Sequence, residues 1–246
     1  MNLKKPPIIE AVLDIDCELP PNLDIMKVQK LASKELAKSY PKMRPTFLQD
    51  HTVKATPTNE VEYSLKSEIN GFQFLKNDGR QVVQFRKQGF SFNRLEPYTN
   101  LDSYLPQIKK QWLNYLRMAE PIKISAIRLR YINRILLPLV NGEVNLDEYI
   151  INGPRLADNE RLSLVGFLDQ YTAVDKKTGH QMSSVLTLQP IADQTLPLIF
   201  DNGVVSSKSV SIENWNEIRS IILELRELKN HIFKRTVTKR CLNLFR

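Results

Sequence analysis

The chain has 246 residues, of which 42% are hydrophobic and 25% are charged, and its formal net charge is +8. This composition is ordinary for a folded globular protein and excludes a disordered, collagen-like or coiled-coil chain. A pI of about 9.4 favours an acidic partner, whether nucleic acid, a phosphorylated ligand or an acidic protein, although a solvated basic surface explains it equally well.

Cysteine usage and the N-terminus predict a cytoplasmic protein. Cys17 and Cys241 lie in apolar strand and helix patterns and form no CxxC pair, and Cys17 is expected in the core. The opening MNLKKPPIIEAV lacks the apolar stretch of a signal peptide. No apolar run is long enough to cross a bilayer, so we expect no membrane partner.

The first half of the chain reads as a strand, a helix, several strands and a second helix. Residues 8–19 alternate apolar and polar side chains, which predicts a strand with one buried face. Asp24 can cap a helix that continues to Tyr40. Further patterns predict strands at 61–69, 72–85 (a hairpin) and 84–95, with Gly89 at a bulge, and a helix at 101–116.

The second half repeats this order of elements. A long strand is predicted at 123–139, and a polar link leads to the short segment 146–150. Strands follow at 161–172, 181–190 and 196–207. A long helix begins near Asn214, with Glu217 in capping-box position, and a short helical piece closes the chain at 238–245.

These patterns predict an α+β fold with antiparallel or mixed sheets covered by helices. We expect two halves, 1–121 and 122–246, the second with the long C-terminal helix and a basic tail. No Gly/Ser-rich linker separates them, so the halves are expected to share one core. Duplication is a hypothesis about topology only, and a chance match of element order is the alternative.

Motifs that carry catalysis are absent from the sequence. The three histidines stand at no metal-ligand spacing, and the glycines form neither GxGxxG nor GxxxxGK[ST]. No GxSxG elbow exists. The sequence therefore predicts no cofactor and favours a protein without enzymatic activity.

The first strand carries an acidic face. Glu10, Asp14 and Asp16 project to one side, together with Glu18. Carboxylates at this spacing could converge on Mg²⁺ or Mn²⁺ in a phosphoryl-transfer enzyme. The alternatives are a solvent-exposed face and an ion-pair ladder, which are commoner than metal sites.

The strand at 123–139 carries a basic face formed by Arg128, Arg130 and Arg134. Guanidinium groups about 6–7 Å apart repel one another unless anions lie nearby. The anions could be external phosphates or the acidic face of the first strand. We favour the internal source and predict that Asp14 or Asp16 lies within salt-bridge reach of Arg128 or Arg130.

A third basic feature begins at Lys229 and includes Lys234 and Arg235, with no acidic residue up to the C-terminus. Part of this charge complements the helix dipole, and part could contact phosphates. A solvated helix end is the alternative. No RNP-type or helix-turn-helix signature supports sequence-specific recognition of nucleic acid.

Four blocks, KKPPIIEAVLDI, FRKQGFSFNRLEPY, RLRYINRILLP and LKNHIFKRTVTKRCLNLF, are spread over nearly the whole chain. In kind and order they resemble a sporadically distributed prokaryotic family of uncharacterised proteins. The resemblance implies no activity, cofactor or catalytic residue, and a patchy distribution suggests antiviral defence or toxin–antitoxin loci. The blocks draw attention to Pro7, Glu10, Phe90, Asn93, Arg94, Pro97, Tyr98, Arg130, Tyr131, Asn133, Arg134, Lys229, Asn230 and Phe233.

Three functions remain open at this point. The first is a non-enzymatic recognition or adaptor protein that binds a partner protein through its helices, in a prokaryotic defence or toxin–antitoxin module. The second is a binder of nucleic acid or a phosphate ligand. The third is a metal-dependent phosphoryl-transfer enzyme centred on Asp14 and Asp16. Anion-binding candidates are Arg94, Arg128, Arg130, Arg134, Lys229, Lys234 and Arg235.

Overall fold

The computed structural model describes residues 3–55, 61–151, 153–158 and 161–246. Within these residues the strands form one nine-stranded antiparallel sheet, and four α-helices pack against it. The predicted α+β class is confirmed.

Each half of the chain contributes one series of strands and helices. The first half forms β1 (Ile8–Glu18), α1 (Ile25–Leu36), β2 (Lys42–Ala55), β3 (Val61–Leu75), β4 (Gln81–Arg86), β5 (Gly89–Leu95) and α2 (Leu101–Ala119). The second half forms β6 (Lys123–Pro138), a 3₁₀ turn at Leu146–Glu148, β7 (Leu168–Val174), β8 (Gln181–Leu188), β9 (Thr195–Ser206), α3 (Trp215–Thr236) and α4 (Lys239–Asn243).

The strand order is β2-β3-β4-β5-β1-β6-β9-β8-β7. The first strands of the two halves, β1 and β6, therefore pair at the centre, and each half places its remaining strands outwards from there. The last strand of each series, β5 or β9, returns to lie beside its own first strand. The halves differ in that α1 has only the short 3₁₀ turn as its counterpart.

The helices all lie on one face of the sheet. Inward side chains of β1 are buried there, as the alternation predicts: Ala11, Leu13, Ile15 and Cys17. Trp112 and Tyr115 of α2 pack on Phe90 of β5, with ring centroids 5.9 and 6.0 Å from it. No helix in the described part of the chain covers the opposite face, which carries Asp14 and Arg128. We call this the open face.

Several boundaries differ from the sequence-based prediction. β2 was not predicted, because Pro41 and Pro45 suggested a break. An edge strand tolerates proline, since the missing N–H can face away from the neighbouring strand. β3 runs without interruption from 61 to 75, and β7 begins at 168 rather than 161.

Gly89 does not mark a bulge. It follows a two-residue hairpin turn and begins β5 with φ of 137°, a conformation that disfavours other residues. A Cβ atom at this position would lie 2.2 Å from the carbonyl oxygen of Ile15. Only glycine lets β5 approach β1 this closely.

Both cysteine thiols are buried, as predicted for Cys17, and neither forms a disulfide. Burial raises the pKa of Cys17 and of Cys241 to about 12. We expect neither thiol to react with Ellman's reagent at neutral pH until the protein unfolds, because the thiolate is the reactive species. Stoichiometric labelling of the native protein, measured by absorbance against a denatured control, would contradict this.

Candidate functional site

The basic strand β6 and the acidic strand β1 are neighbours. Their antiparallel register places Asp14 opposite Arg128, and Arg128 Nε donates to Asp16 Oδ2 at 2.5 Å. This contact confirms the predicted ion pair between the two strands. The Asp16 side chain is 17% exposed, whereas that of Arg128 is 50% exposed. The first arginine of the basic face is therefore neutralised within the sheet.

A second arginine, Arg86 of β4, reaches the same carboxylates from the other side. Its Nη2 lies 3.1 Å from Asp14 and 3.4 Å from Asp16. Gly89 of β5 stands opposite both Arg86 and Asp16 in the strand register. Because glycine has no side chain, the guanidinium of Arg86 can cross β5 and contact β1.

Asp14, like Asp16, is largely buried in this cluster, and its side chain is 22% exposed. The hydroxyl of Ser91, directly opposite it on β5, donates a hydrogen bond to Asp14 Oδ1. Burial raises the pKa of Asp14 above its usual value, and the positive charge of Arg86 opposes that shift. The charge of Arg86 thus favours the ionised form of this carboxylate.

The remaining arginines of β6 differ in their contacts. Arg130 Nε donates to both carboxylate oxygens of Asp201 on β9, at 2.8 and 3.0 Å, and these hydrogen bonds raise the pKa of Arg130. Asp201 is 18% exposed. Arg134 is exposed and forms no ion pair with any residue that the structure describes. The stripe of three arginines therefore contains one uncompensated charge.

Amide side chains extend the polar network across the open face. Gln73 donates to Gln84, Gln84 donates to Asn93, and Asn93 donates to Glu10 at 2.8 Å. The chain of hydrogen bonds links four strands, from β3 to β1. These side chains provide one another's hydrogen-bond partners, as partly buried polar groups in a stable sheet require.

The acidic face does not form a metal site in the described residues. No group of three His, Cys, Asp or Glu side chains is placed to hold an ion there. Asp14 and Asp16 point to Arg86, and Glu10 accepts from Asn93. The geometry gives the weak metal alternative no support.

Two other predicted residues, Arg94 and Lys229, lie on the helix-covered face. The guanidinium of Arg94 is 5.5 Å from the ring centroid of Tyr104. A crevice beside it, lined by Tyr98 and Tyr131 among others, has a volume of about 10 Å³. That space holds a single water molecule but no metabolite.

Lys229 of α3 is buried instead of belonging to a solvated basic tail. Its Nζ lies 3.6 Å from the ring centroid of Tyr131, whose hydroxyl pairs with that of Tyr98 at 2.8 Å. No carboxylate among the described residues forms a salt bridge with it. Burial, assisted by the nearby charge of Arg226, lowers the pKa of Lys229 to about 7. Among the residues that the structure describes, the cation–π contact with Tyr131 is the only compensation for this charge.

Lys234 and Arg235 are exposed on the last turn of α3. The anion-binding candidates therefore fall into three places: the open face, the helix-covered interior and the end of α3. The structure does not bring them together into one basic cleft.

The hairpin of β2 and β3 carries exposed apolar side chains. β3 pairs with β4 only over 71–75, so the rest of the hairpin, residues 46–55 and 61–70, extends beyond the sheet. We call this extension the arm. Three of its side chains are conspicuously exposed: Phe47 (56%), Leu48 (41%) and Leu65 (60%).

Sequence reasoning missed Arg86, Asp201 and the arm. Arg86 alternates with Gln84 on β4, which places both on one face, but its contact with β1 depends on strand order. Asp201 is a charged residue within the largely apolar strand β9, so the sequence indicates only that its side chain points outwards. The sequence does not indicate that it pairs with Arg130. The arm could not be predicted because one of its two strands, β2, was not predicted.

Comparisons with models of known protein families and with curated proteins find no match. No described helix combines the length and the apolar character needed to cross a membrane.

Proposed function

We propose that this protein is a non-enzymatic recognition module that binds a partner protein through the arm. The exposed apolar stripe of the arm is the observation that carries this proposal. Aromatic and aliphatic side chains that remain exposed together are typical of protein-binding surfaces. The predicted setting, a prokaryotic defence or toxin–antitoxin module, belongs to the same proposal and rests on the family resemblance.

The stripe follows from the strand register. Phe47 pairs with Ile69, and Leu65 lies four residues from Ile69 on the same face of β3. Glu68 alternates with Ile69, so its surface ion pair with Lys87, at 3.2 Å, lies on the opposite face of β3. Exposed apolar side chains of this kind form the centre of protein interfaces, which supplies most of the affinity.

The arm explains recognition better than the helices or the basic strand. The apolar faces of α1, α2 and α3 are buried in the core, so they are not available to bind a partner protein. Arg128 and Arg130 are paired with Asp16 and Asp201, which leaves them poorly available to external phosphates. Binding of nucleic acid or a phosphate ligand is therefore our second candidate function. Arg134, which has no ion-pair partner among the described residues, is the residue most available to bind the anion.

We expect Phe47→Gln and Leu65→Gln to abolish retention of the partner by the immobilised protein, because each removes an apolar contact from the centre of the interface. The measurement is quantitative mass spectrometry of proteins captured from a lysate of the source organism. Leu113→Gln is the matched control, since Leu113 is 46% exposed but belongs to α2 and not to the arm.

The proposal requires at least one captured protein to be lost with both arm variants and kept with the control. A capture profile that is the same for wild type and both arm variants would exclude the arm as the binding surface. Circular dichroism of the variants establishes that they fold, which is expected because both residues are exposed.

A further inference from the structure

The two edges of the sheet are protected to different degrees. Exposed edge strands present unpaired backbone groups, and proteins usually protect them with lysine, arginine or proline. β2, at one edge, contains Pro45 together with Lys42 and Arg44. β7, at the other edge, has the sequence LDQYTAV and contains none of these protecting residues.

β7 is open on both faces as well as along its edge. All seven of its residues are exposed, including Leu168 (69%), Tyr171 (42%) and Val174 (60%). No described residue forms a backbone ladder with its outer side. The chain leading into the strand exposes Val165 as well (96%). An unpaired apolar edge of this kind is a ready surface for another strand.

The sequence of β7 is complementary to itself in one antiparallel register. When Tyr171 is placed on a twofold axis, Leu168 faces Val174 of a second copy, and residue 170 faces residue 172. Asp169, the only charge in the strand, then faces Ala173 and no like charge. Apolar groups meet apolar groups and the two tyrosines stack, which is the arrangement that an isologous twofold interface requires.

We propose that β7 pairs antiparallel with β7 of a second copy of this chain, centred on Tyr171, to form a twofold symmetric dimer. Pairing in this register joins the two nine-stranded sheets edge to edge. It keeps the open faces on one side and the helices on the other, because opposite residues of paired strands share a face. The arms then lie at the two far edges, one in each copy.

Two substitutions of the exposed Ala173 test the register by charge. Ala173→Lys places an ammonium opposite Asp169 of the other copy twice per dimer, so we expect the dissociation constant to fall about tenfold. Ala173→Asp creates two like-charge pairs at the same places and is expected to raise the constant about tenfold. Sedimentation equilibrium over a concentration series measures both effects against wild type.

Cysteine cross-linking tests the same register by distance. Tyr171→Cys brings two thiols together at the axis and is expected to give a covalent dimer on oxidation. Asp169→Cys places them about 13 Å apart and is expected to remain uncross-linked. Native Cys17 and Cys241 are buried and give no background. A monomeric wild type, equal responses to the two Ala173 variants, or stronger cross-linking through residue 169 would each overturn the proposal.

Discussion

Replacing Lys229 with methionine is expected to stabilise the fold by about 3 kcal/mol near pH 6. The buried ammonium lacks a carboxylate partner, and its pKa falls from 10.5 to about 7. Methionine preserves the packing against Tyr131 without the desolvated charge. Urea unfolding of both proteins, analysed by linear extrapolation, measures the difference.

The stabilisation should depend on pH in a defined direction. Between pH 7 and 10.5 the unfolded amine is protonated and the native amine is neutral. The unfolded state then binds more protons, so wild-type stability rises with pH across this window. Below pH 7 both states are protonated and the full cost of burial is present. The advantage of Lys229→Met is therefore greatest below pH 7 and shrinks toward pH 10.5.

Lys229→Arg is the control for this effect. A guanidinium cannot lose its proton in this range, so the arginine variant should be less stable than wild type above pH 7 and should lack the rise in stability with pH. A methionine variant that is less stable than wild type near pH 6 would show that the amine has an anionic partner in solution.

Replacing Arg86 with methionine is expected to destabilise the fold by about 3 kcal/mol at neutral pH. The substitution leaves Asp14 and Asp16 close together with only Arg128 to balance them. Since burial already raises the pKa of Asp14, the carboxylate of the variant should take up a proton more readily as the pH falls. The loss of stability should consequently be smaller near pH 4 than near pH 7.

Arg128→Met is the matched comparison, because Arg128 contacts Asp16 from a half-exposed position. We expect a loss of about 1 kcal/mol or less, as for other solvent-screened pairs. Adding Asp14→Asn to Arg86→Met should recover stability, since an asparagine oxygen can still accept from Ser91. Equal losses from the two arginine variants, measured by urea unfolding, would contradict the central role of Arg86.

The central ion pair could be predicted from the sequence because two long strands alternate strictly. Alternation placed Asp14 and Asp16 on one face of β1 and Arg128 on one face of β6, and the opposite charges favoured adjacency. Alternation cannot supply strand order, however. The contact of Arg86 with β1 needs β5 between them and Gly89 at the crossing point.

Lys229 shows a different limit. The apolar stripe of α3 was assigned from its aliphatic residues, and a lysine near a basic C-terminus was counted as part of the tail. Helical spacing alone would have placed it correctly, because residues 225, 229 and 233 recur every four residues and all three are buried. A lysine is expected at the surface, and this expectation hides the buried position that helical spacing indicates for Lys229.

The arm and the edge strand were beyond prediction for a related reason. Proline at position 45 argued against a strand, and only the sheet order shows that β2 lies at an edge where proline is tolerated. Likewise, β7 has an ordinary strand pattern, and its exposure follows from the lack of a helix equivalent to α1 in the second half.

Partner capture with Phe47→Gln and Arg134→Gln compared side by side tests the central claim most directly. Both side chains are exposed, so neither change should disturb the fold. If the arm is the recognition surface, Phe47→Gln loses the captured protein and Arg134→Gln retains it, before and after nuclease treatment. Retention by Phe47→Gln together with loss by Arg134→Gln or by nuclease would contradict the account and favour an anion-binding protein.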